Sequence, residues 1–352
     1  MFIAIIGTPS AGKKVVLQYL EKKYGFQRLR LAKDQPKTKK EEDLSGRIEK
    51  IDVNGDGQVA EAHTYANAND LLDFVTHNWL LHFVTTDLTS FDDVEPFVKR
   101  PFFLLVSVDG PLIVRYERER ARAESLKQTL SPEKFMTDHD ALLHGPPPPQ
   151  TSSLPTLAHM QLQSDFRRVL DLAHIQVNNN FADISALHWY LDRLDLLDEG
   201  RLRPGWDKYF MTLASLASHR SNCMKRRVGA LLVRSKRILS TGYNGTPRGV
   251  RNCNQGGCSR CNGSARGGEA LNECLCLHAE ENALLEAGRD RIGDDSVIYC
   301  NTCPCLRCSV KIVQCGVREV VYNQSYSMDE ASAMVLKEGS VILRQLSMPE
   351  AV

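Results

Sequence analysis

Residues 303–308 read CPCLRC, and upstream of them residues 278–280 read HAE. Together they place Pro304, Cys305 and Cys308 in a P-C-x-x-C pattern behind an H-x-E. Pro304 suits the first turn of a helix. Cys305 and Cys308 would then be i and i+3, with both sulfurs on one face. The positive end of the helix dipole favours their thiolates. His278 at the start of a second helix can supply a third ligand. Three protein ligands leave a fourth tetrahedral position open, the arrangement of a catalytic zinc and not of a structural one. Glu280 has the reach of a general acid–base and is not itself a ligand. Each half of this pairing sits at a helix start.

Composition agrees with a metal reading of the sulfur. The chain has 352 residues, 42% of them hydrophobic and 25% charged, with a net charge of +1. A core of ordinary size needs no disulfides, and no global basic field draws the chain to nucleic acid. The N-terminal run FIAII is too short to span a bilayer, and no signal-peptide pattern precedes it. A cytoplasmic location is expected, with the nucleus as the other reducing compartment. All eleven cysteines lie from Cys223 onward. In a reducing compartment such a local cluster favours metal or catalysis. Cys300, Cys303 and Cys315 sit in or beside apolar segments and are expected to be small buried hydrophobes.

Two domains are expected, 1–198 and 204–352. The first has a strand at 2–6, a Gly-rich turn and a helix at 14–23, then a strand at 101–109 and an Arg-bearing helix at 112–124. That alternation predicts a parallel α/β sheet. The stretch HGPPPPQTSSLP at 144–155 reads as an exposed insertion near 140–158. Helices are expected at 159–172 and 184–197. The second domain is expected to open with a helix at 206–222 and a hairpin of strands 228–234 and 238–242. A Gly-, Asn- and Cys-rich loop follows to about 273. Further helices are expected at 277–287, from 304 to 316 and at 328–338, with strands at 296–300 and 318–322.

H-x-E followed by P-C-x-x-C is the signature of zinc-dependent nucleobase deaminases. The segments RSNCMKRRVGA (220–230), STGYNGTPRG (240–249), CLHAEENALLEAGRDR (276–291) and YCNTCPCLRCSVKIVQCG (299–316) make residues 204–352 resemble the deoxycytidylate (dCMP) deaminase family, specifically its fungal members. The resemblance implies a cytidine-deaminase-like α/β/α sandwich and the conversion of dCMP and water to dUMP and ammonia, a step toward dTMP precursors. It also implies a homo-oligomer, a hexamer in the family, activated by dCTP and inhibited by dTTP, with Mg²⁺ accompanying the effector triphosphate. Carried onto this sequence, His278, Cys305 and Cys308 match the zinc ligands and Glu280 the proton shuttle. Asn244 matches the asparagine facing the deoxyribose, and Gly242, Tyr243 and Gly245 belong to a loop used near the effector. The 5′-phosphate needs cations or amides; Arg226 is the first candidate, with Tyr326 as partner.

A second, structural zinc is expected in the loop, from Cys253, Cys258 and Cys261 in C-x4-C-x2-C spacing. The resemblance suggests Cys223 as the fourth ligand, with Cys274 competing. Cys276 is expected to be packed core.

Gly7 to Lys13 (GTPSAGK) fits G-x-x-x-x-G-K between a strand and a helix, with Gly7, Gly12 and Lys13 in the phosphate-cradling positions. The next residue should be Ser or Thr to hold Mg²⁺, and it is Lys14, which argues against phosphoryl transfer. Asp87 is the candidate for the acidic strand-end residue. The layout resembles nucleoside-monophosphate or dephospho-CoA kinases, and the reading is a degenerate P-loop domain with a structural or regulatory role. Asp52 to Gly57 imitates half a calcium loop, but His63 stands where the twelfth-position Glu belongs; a solvated acidic turn is expected.

Two other function classes compete. A polynucleotide or tRNA deaminase would share the zinc signature, but the GYNG and KRRVG segments favour a mononucleotide. A nucleotide-sensing scaffold would not need the proton shuttle Glu280. Membrane and polynucleotide partners are not expected.

Overall fold

The computed structural model describes residues 1–32, 63–145, 164–266, 269–325 and 330–348. The acidic turn at 52–57 and Tyr326 lie outside these residues, as does most of the Pro-rich stretch. The chain divides into two units, Met1–Arg203 and Pro204–Val352.

Unit 1 is organised around β1 (Phe2–Gly7), every residue of which is buried. A strand covered on both faces has no position for a polar side chain, which is why it reads as a continuous apolar run. Ile3 and Ile5 point to one face, where the helices Lys13–Tyr24 and Ile184–Leu194 supply Val16, Leu17, Leu20, Leu187 and Leu191. Phe2, Ala4 and Ile6 point to the other, against Leu71 and Val75 of helix Ala68–His77 and Val94 and Phe97 of helix Phe91–Val98. The other strands are β2 (Gln27–Leu31), β3 (His63–Tyr65), β4 (Phe83–Thr85), β5 (Phe103–Asp109) and β6 (Ile175–Asn178). Their order is β3-β2-β4-β1-β5-β6, with every pairing parallel. Ile3 is in register with Val84 on one side and Leu104 on the other. The Arg-bearing helix is Leu112–Ser125, and a helix not expected from sequence spans Pro132–His144. It is capped by Ser131, whose hydroxyl accepts from the Lys134 N–H, so the start of the expected insertion is regular structure. Among the described residues of the expected 159–172 segment, Asp165–Asp171 form a helix.

Unit 2 has a five-stranded sheet. Its strands are β7 (Gly229–Arg234), β8 (Arg237–Tyr243), β9 (Ser296–Thr302), β10 (Glu319–Gln324) and β11 (Ile342–Gln345), in the order β11-β10-β9-β7-β8. β7 runs antiparallel to β8 and β9, and β10 runs parallel to β9 and β11. Alternation again sets the layers. Ala230, Leu232, Ile298, Cys300 and Val320 face helices Ala279–Ala287, Leu306–Gln314 and Glu330–Glu338. Leu231, Val233, Tyr299 and Val321 face helix Trp206–Ser218. The result is an α/β/α sandwich. β7 and β8 turn through Ser235 and Lys236, both with positive φ. Helix Ala279–Ala287 stops at Gly288, and the mostly exposed residues 288–295 carry the chain to β9, with Ile292 returned to the core.

The first helix of this unit ends earlier than expected, at Ser218. The side chains that would have continued it are used elsewhere: Ser221 Oγ donates to the Asn244 carbonyl (2.8 Å) and Asn222 Oδ1 accepts from the Thr246 N–H (3.2 Å). Pro304 precedes the capping residue Cys305 and so lies just outside its helix, not in the first turn. The ends of the sandwich are tied by Arg344 of β11, which donates to Asp207 Oδ2 (2.8 Å) and Glu319 Oε1 (2.8 Å). Among the described residues, no helix is long and apolar enough to cross a membrane.

Candidate metal centre and catalytic site

His278 and Cys305 are the N-cap residues of two nine-residue helices, Ala279–Ala287 and Leu306–Gln314. An N-cap side chain usually turns back to its own helix. Neither does so here, and the two meet each other instead. Cys305 Sγ lies 3.3 Å and Cys308 Sγ 3.4 Å from His278 Nδ1. All three ligand atoms fall within 4.8 Å of one another.

A tetrahedral zinc with bonds of about 2.0–2.3 Å requires ligand atoms about 3.6 Å apart, so the donor set fits the metal in type and in spacing. Electrostatics agrees. Hydrogen bonding from Cys308, then from His278, holds the Cys305 thiol down at about 3, and the Cys305 contact raises His278. Two helix N-termini converge on the same point and add positive potential for the thiolates.

Glu280 follows two residues after His278 and is 3% exposed. Burial pushes its carboxyl up to about 7, against the pull of its own backbone N–H and of His278. Glu281, its neighbour, instead pairs with Lys311 on the facing helix. The two adjacent carboxylates therefore have separate surroundings, one enclosed beside the metal ligands and one clamping the two ligand-bearing helices together.

The GYNG turn is bound to this site through the backbone. Gly245 and Leu277 exchange two hydrogen bonds (3.2 and 2.8 Å), which fixes the residue before His278. The Tyr243 carbonyl accepts from Asn282 Nδ2 (2.9 Å). A Cβ on Gly242 would lie 2.0 Å from the Ala279 carbonyl oxygen, so only glycine lets β8 approach the Glu280 helix this closely. Asn244 is buried: its Oδ1 accepts from the Val228 N–H (2.8 Å) and its Nδ2 donates to the Arg226 carbonyl (2.8 Å). One donor and one acceptor position of the amide remain. Arg226 donates to Gln324 Oε1 (3.2 Å) and lines a cavity of about 410 Å³ together with Lys225 and Arg227.

The four cysteines expected for a structural zinc do not form one group. Cys223, Cys253 and Cys261 come together with Cys276, while Cys258 groups with Cys274, Cys261 and Cys276. Cys276 is buried in the core, as expected, and its sulfur also lies in both groups. The spacing Cys274-Leu275-Cys276 is the one signal in the sequence for this, and proximity to the H-x-E motif masks it. Cys300 and Cys303 are buried and Cys315 is half-buried, and none of the three belongs to either group.

In unit 1, Gly7 (φ 152°) passes so close to β5 that a Cβ would lie 2.0 Å from the Val108 carbonyl oxygen, and Gly12 is left-handed at φ 103°. Lys13 Nζ donates to the carbonyls of Gly7 (2.6 Å) and Thr8 (2.9 Å), and burial, helped by Arg115, lowers it to about 8. Thr8 donates to Asp109 (2.5 Å). Asp87 accepts from the Leu31 N–H (3.1 Å).

Residues 204–324 match the family model described as the cytidine and deoxycytidylate deaminase zinc-binding region. Over 350 residues the chain is 42% identical to the deoxycytidylate deaminase of Schizosaccharomyces pombe, covering 99% of this chain and 98% of that one. It is 44% identical over 289 residues to the deoxycytidylate deaminase of Saccharomyces cerevisiae, covering 81% and 87%. Among solved structures, the dCMP deaminase of cyanophage S-TIM5 in complex with dCMP and dUMP is 32% identical, covers 41% of this chain and 98% of that chain, and has a TM-score of 0.34. The chain belongs to the deoxycytidylate deaminase family.

Proposed function

We propose that this chain hydrolyses the exocyclic amine of dCMP, giving dUMP and ammonia. The observation that carries the reading is the meeting of His278, Cys305 and Cys308 beside the enclosed carboxyl of Glu280. When bound by the three ligands, zinc supplies the Lewis acidity that makes water a nucleophile near neutral pH. Glu280 carries the protons. Its carboxylate takes one from the attacking water and delivers it to N3 of the pyrimidine. After addition at C4 it takes the second proton from the new hydroxyl and delivers it to the amine nitrogen, which leaves as ammonia. Glu280 ends as it began, so one carboxyl serves both transfers. Its burial keeps bulk water from competing for those protons.

Arg226 is the proposed partner of the 5′-phosphate, with Tyr326, and the remaining donor and acceptor of Asn244 suit a deoxyribose hydroxyl. The family resemblance supports a homo-oligomer activated by dCTP and inhibited by dTTP near Gly242, Tyr243 and Gly245, with Mg²⁺ on the effector. It also supports a place in dTMP precursor synthesis. Residues 1–198 are read as a degenerate P-loop domain of structural or regulatory role, because Lys14 replaces the metal-binding hydroxyl and Lys13 is turned onto its own loop.

Assaying dCMP, cytidine and single-stranded DNA side by side, each with and without dCTP and dTTP, tests the reading. Turnover of dCMP alone, raised by dCTP, is expected. Preference for the polynucleotide would overturn it.

A further inference from the structure

Outside the three-ligand centre, six cysteines from three separate segments converge: Cys223, Cys253, Cys258, Cys261, Cys274 and Cys276. They form two sets of four in which every sulfur lies within 4.8 Å of the others, and Cys261 and Cys276 belong to both sets. We propose that these six cysteines hold two zinc ions as a binuclear thiolate cluster, with Cys261 and Cys276 each bridging both metals. Cys223 and Cys253 complete one site, and Cys258 and Cys274 the other.

The distances carry this. A tetrahedral zinc with four sulfurs at about 2.3 Å has S···S edges of about 3.8 Å. The edge Cys223–Cys261 of the first set is 3.8 Å. In the second set Cys258–Cys274 is 3.9 Å and Cys261–Cys274 is 3.6 Å. The shared edge, Cys261–Cys276, is 3.9 Å. One four-coordinate ion would leave two of these sulfurs idle within the same enclosure, and none of the six forms a disulfide.

Charge supplies an independent argument. Six thiolates around two divalent ions carry a net charge of −2, which an enclosed site must balance. Arg260, 8% exposed, places Nη1 4.0 Å from Cys261 Sγ, and the carbonyls of Glu269 (3.0 Å) and Arg266 (3.1 Å) fix its guanidinium there. A buried arginine directed at a thiol lacks a counter-charge; directed at a bridging thiolate, it has one. The Met224 N–H also points at Cys253 Sγ (3.5 Å), the usual support for an anionic sulfur.

The cluster extends the single structural zinc expected from the sequence and does not rest on the deaminase reading. The test is metal analysis of the full-length protein freed of loosely bound ions. Three zincs per chain are expected, one at His278 and two in the cluster. Cys274→Ser should remove one and Cys261→Ser two. If those variants fail to fold, the wild-type protein loaded with ¹¹³Cd still decides: the cluster should give two resonances that split each other through the shared sulfurs. Two zincs per chain, with no coupling and no loss in Cys274→Ser, would overturn the binuclear assignment and leave one four-cysteine site. A single zinc would overturn both versions. Neither result would alter whether dCMP is turned over, so the two readings fail separately.

Discussion

Cys305 Sγ lies 3.3 Å from His278 Nδ1 although 27 residues separate them, because each caps a different helix and neither side chain folds back on its own. With no cap hydrogen bond of their own, both side chains are free to serve as the proposed metal ligands. Glu280, the second residue of the first of these helices, is thereby enclosed beside the candidate ligands.

Glu280→Gln keeps the shape of the side chain and removes the proton carrier. The variant should bind its full complement of zinc and lose about 10²- to 10⁴-fold in kcat. Metal content measured beside turnover of dCMP decides the point. A variant with near-normal kcat would place the proton shuttle elsewhere.

Cys308→Ala removes a ligand that is almost fully buried. Zinc content should fall by one ion per chain, and activity should not return on adding zinc. In the unaltered protein, a chelator should abolish turnover and zinc should restore it. The helices are held separately by the packing of Ala283, Leu284 and Ile312 against the sheet, so circular dichroism should show helical content largely retained.

Gly242→Ala places a methyl group 2.0 Å from the Ala279 carbonyl oxygen and 2.5 Å from the Ala283 nitrogen, both of them backbone atoms that cannot swing aside. The cost should be about 1–3 kcal/mol, the usual range for overpacking. Thermal melts should show the loss, and kcat should fall with it because the displaced helix carries Glu280.

Asp207 is held below the usual carboxylate range, first by Arg344 and then by Tyr299, against its partial burial. A depressed folded-state pKa contributes stability that is present above the unfolded value of about 3.9 and is lost as pH falls through the folded value. Asp207→Asn should therefore melt below the wild type at pH 7. The gap should close as pH falls below about 4. A gap independent of pH would mean that the pair contributes through shape alone.

The parts of this molecule that can be read in sequence are those whose signal is local. β1 is legible because burial on both faces leaves FIAIIG no polar position. The meeting of His278, Cys305 and Cys308 is legible because candidate ligands at a helix start must keep fixed spacing. β4, three residues of FVT, is legible only through Asp87 as a strand-end acid, since its identity as a strand comes from pairing with β1 and β2. β6 is silent for the same reason, with its partner β5 far back along the chain, whereas β11 pairs with the preceding strand β10 and is silent because ILRQ is too short to show a period. Cys274 and Cys276 give only a weak signal, a C-x-C beside the H-x-E motif with Cys274 read as a competing ligand, because the Gly245–Leu277 pairing that holds this stretch is a contact across thirty-odd residues that no spacing rule describes.

Helix Ala279–Ala287 ends at Gly288, and from there to β9 the chain runs through mostly exposed residues, with Ile292 turned back to the core. The metal ligands lie on either side of that interval and are positioned by the sheet, not by its length. The short helix Arg289–Ile292 anchors that interval, so an added peptide, epitope tag or fluorescent reporter belongs at the exposed Asp294–Asp295 turn beyond it.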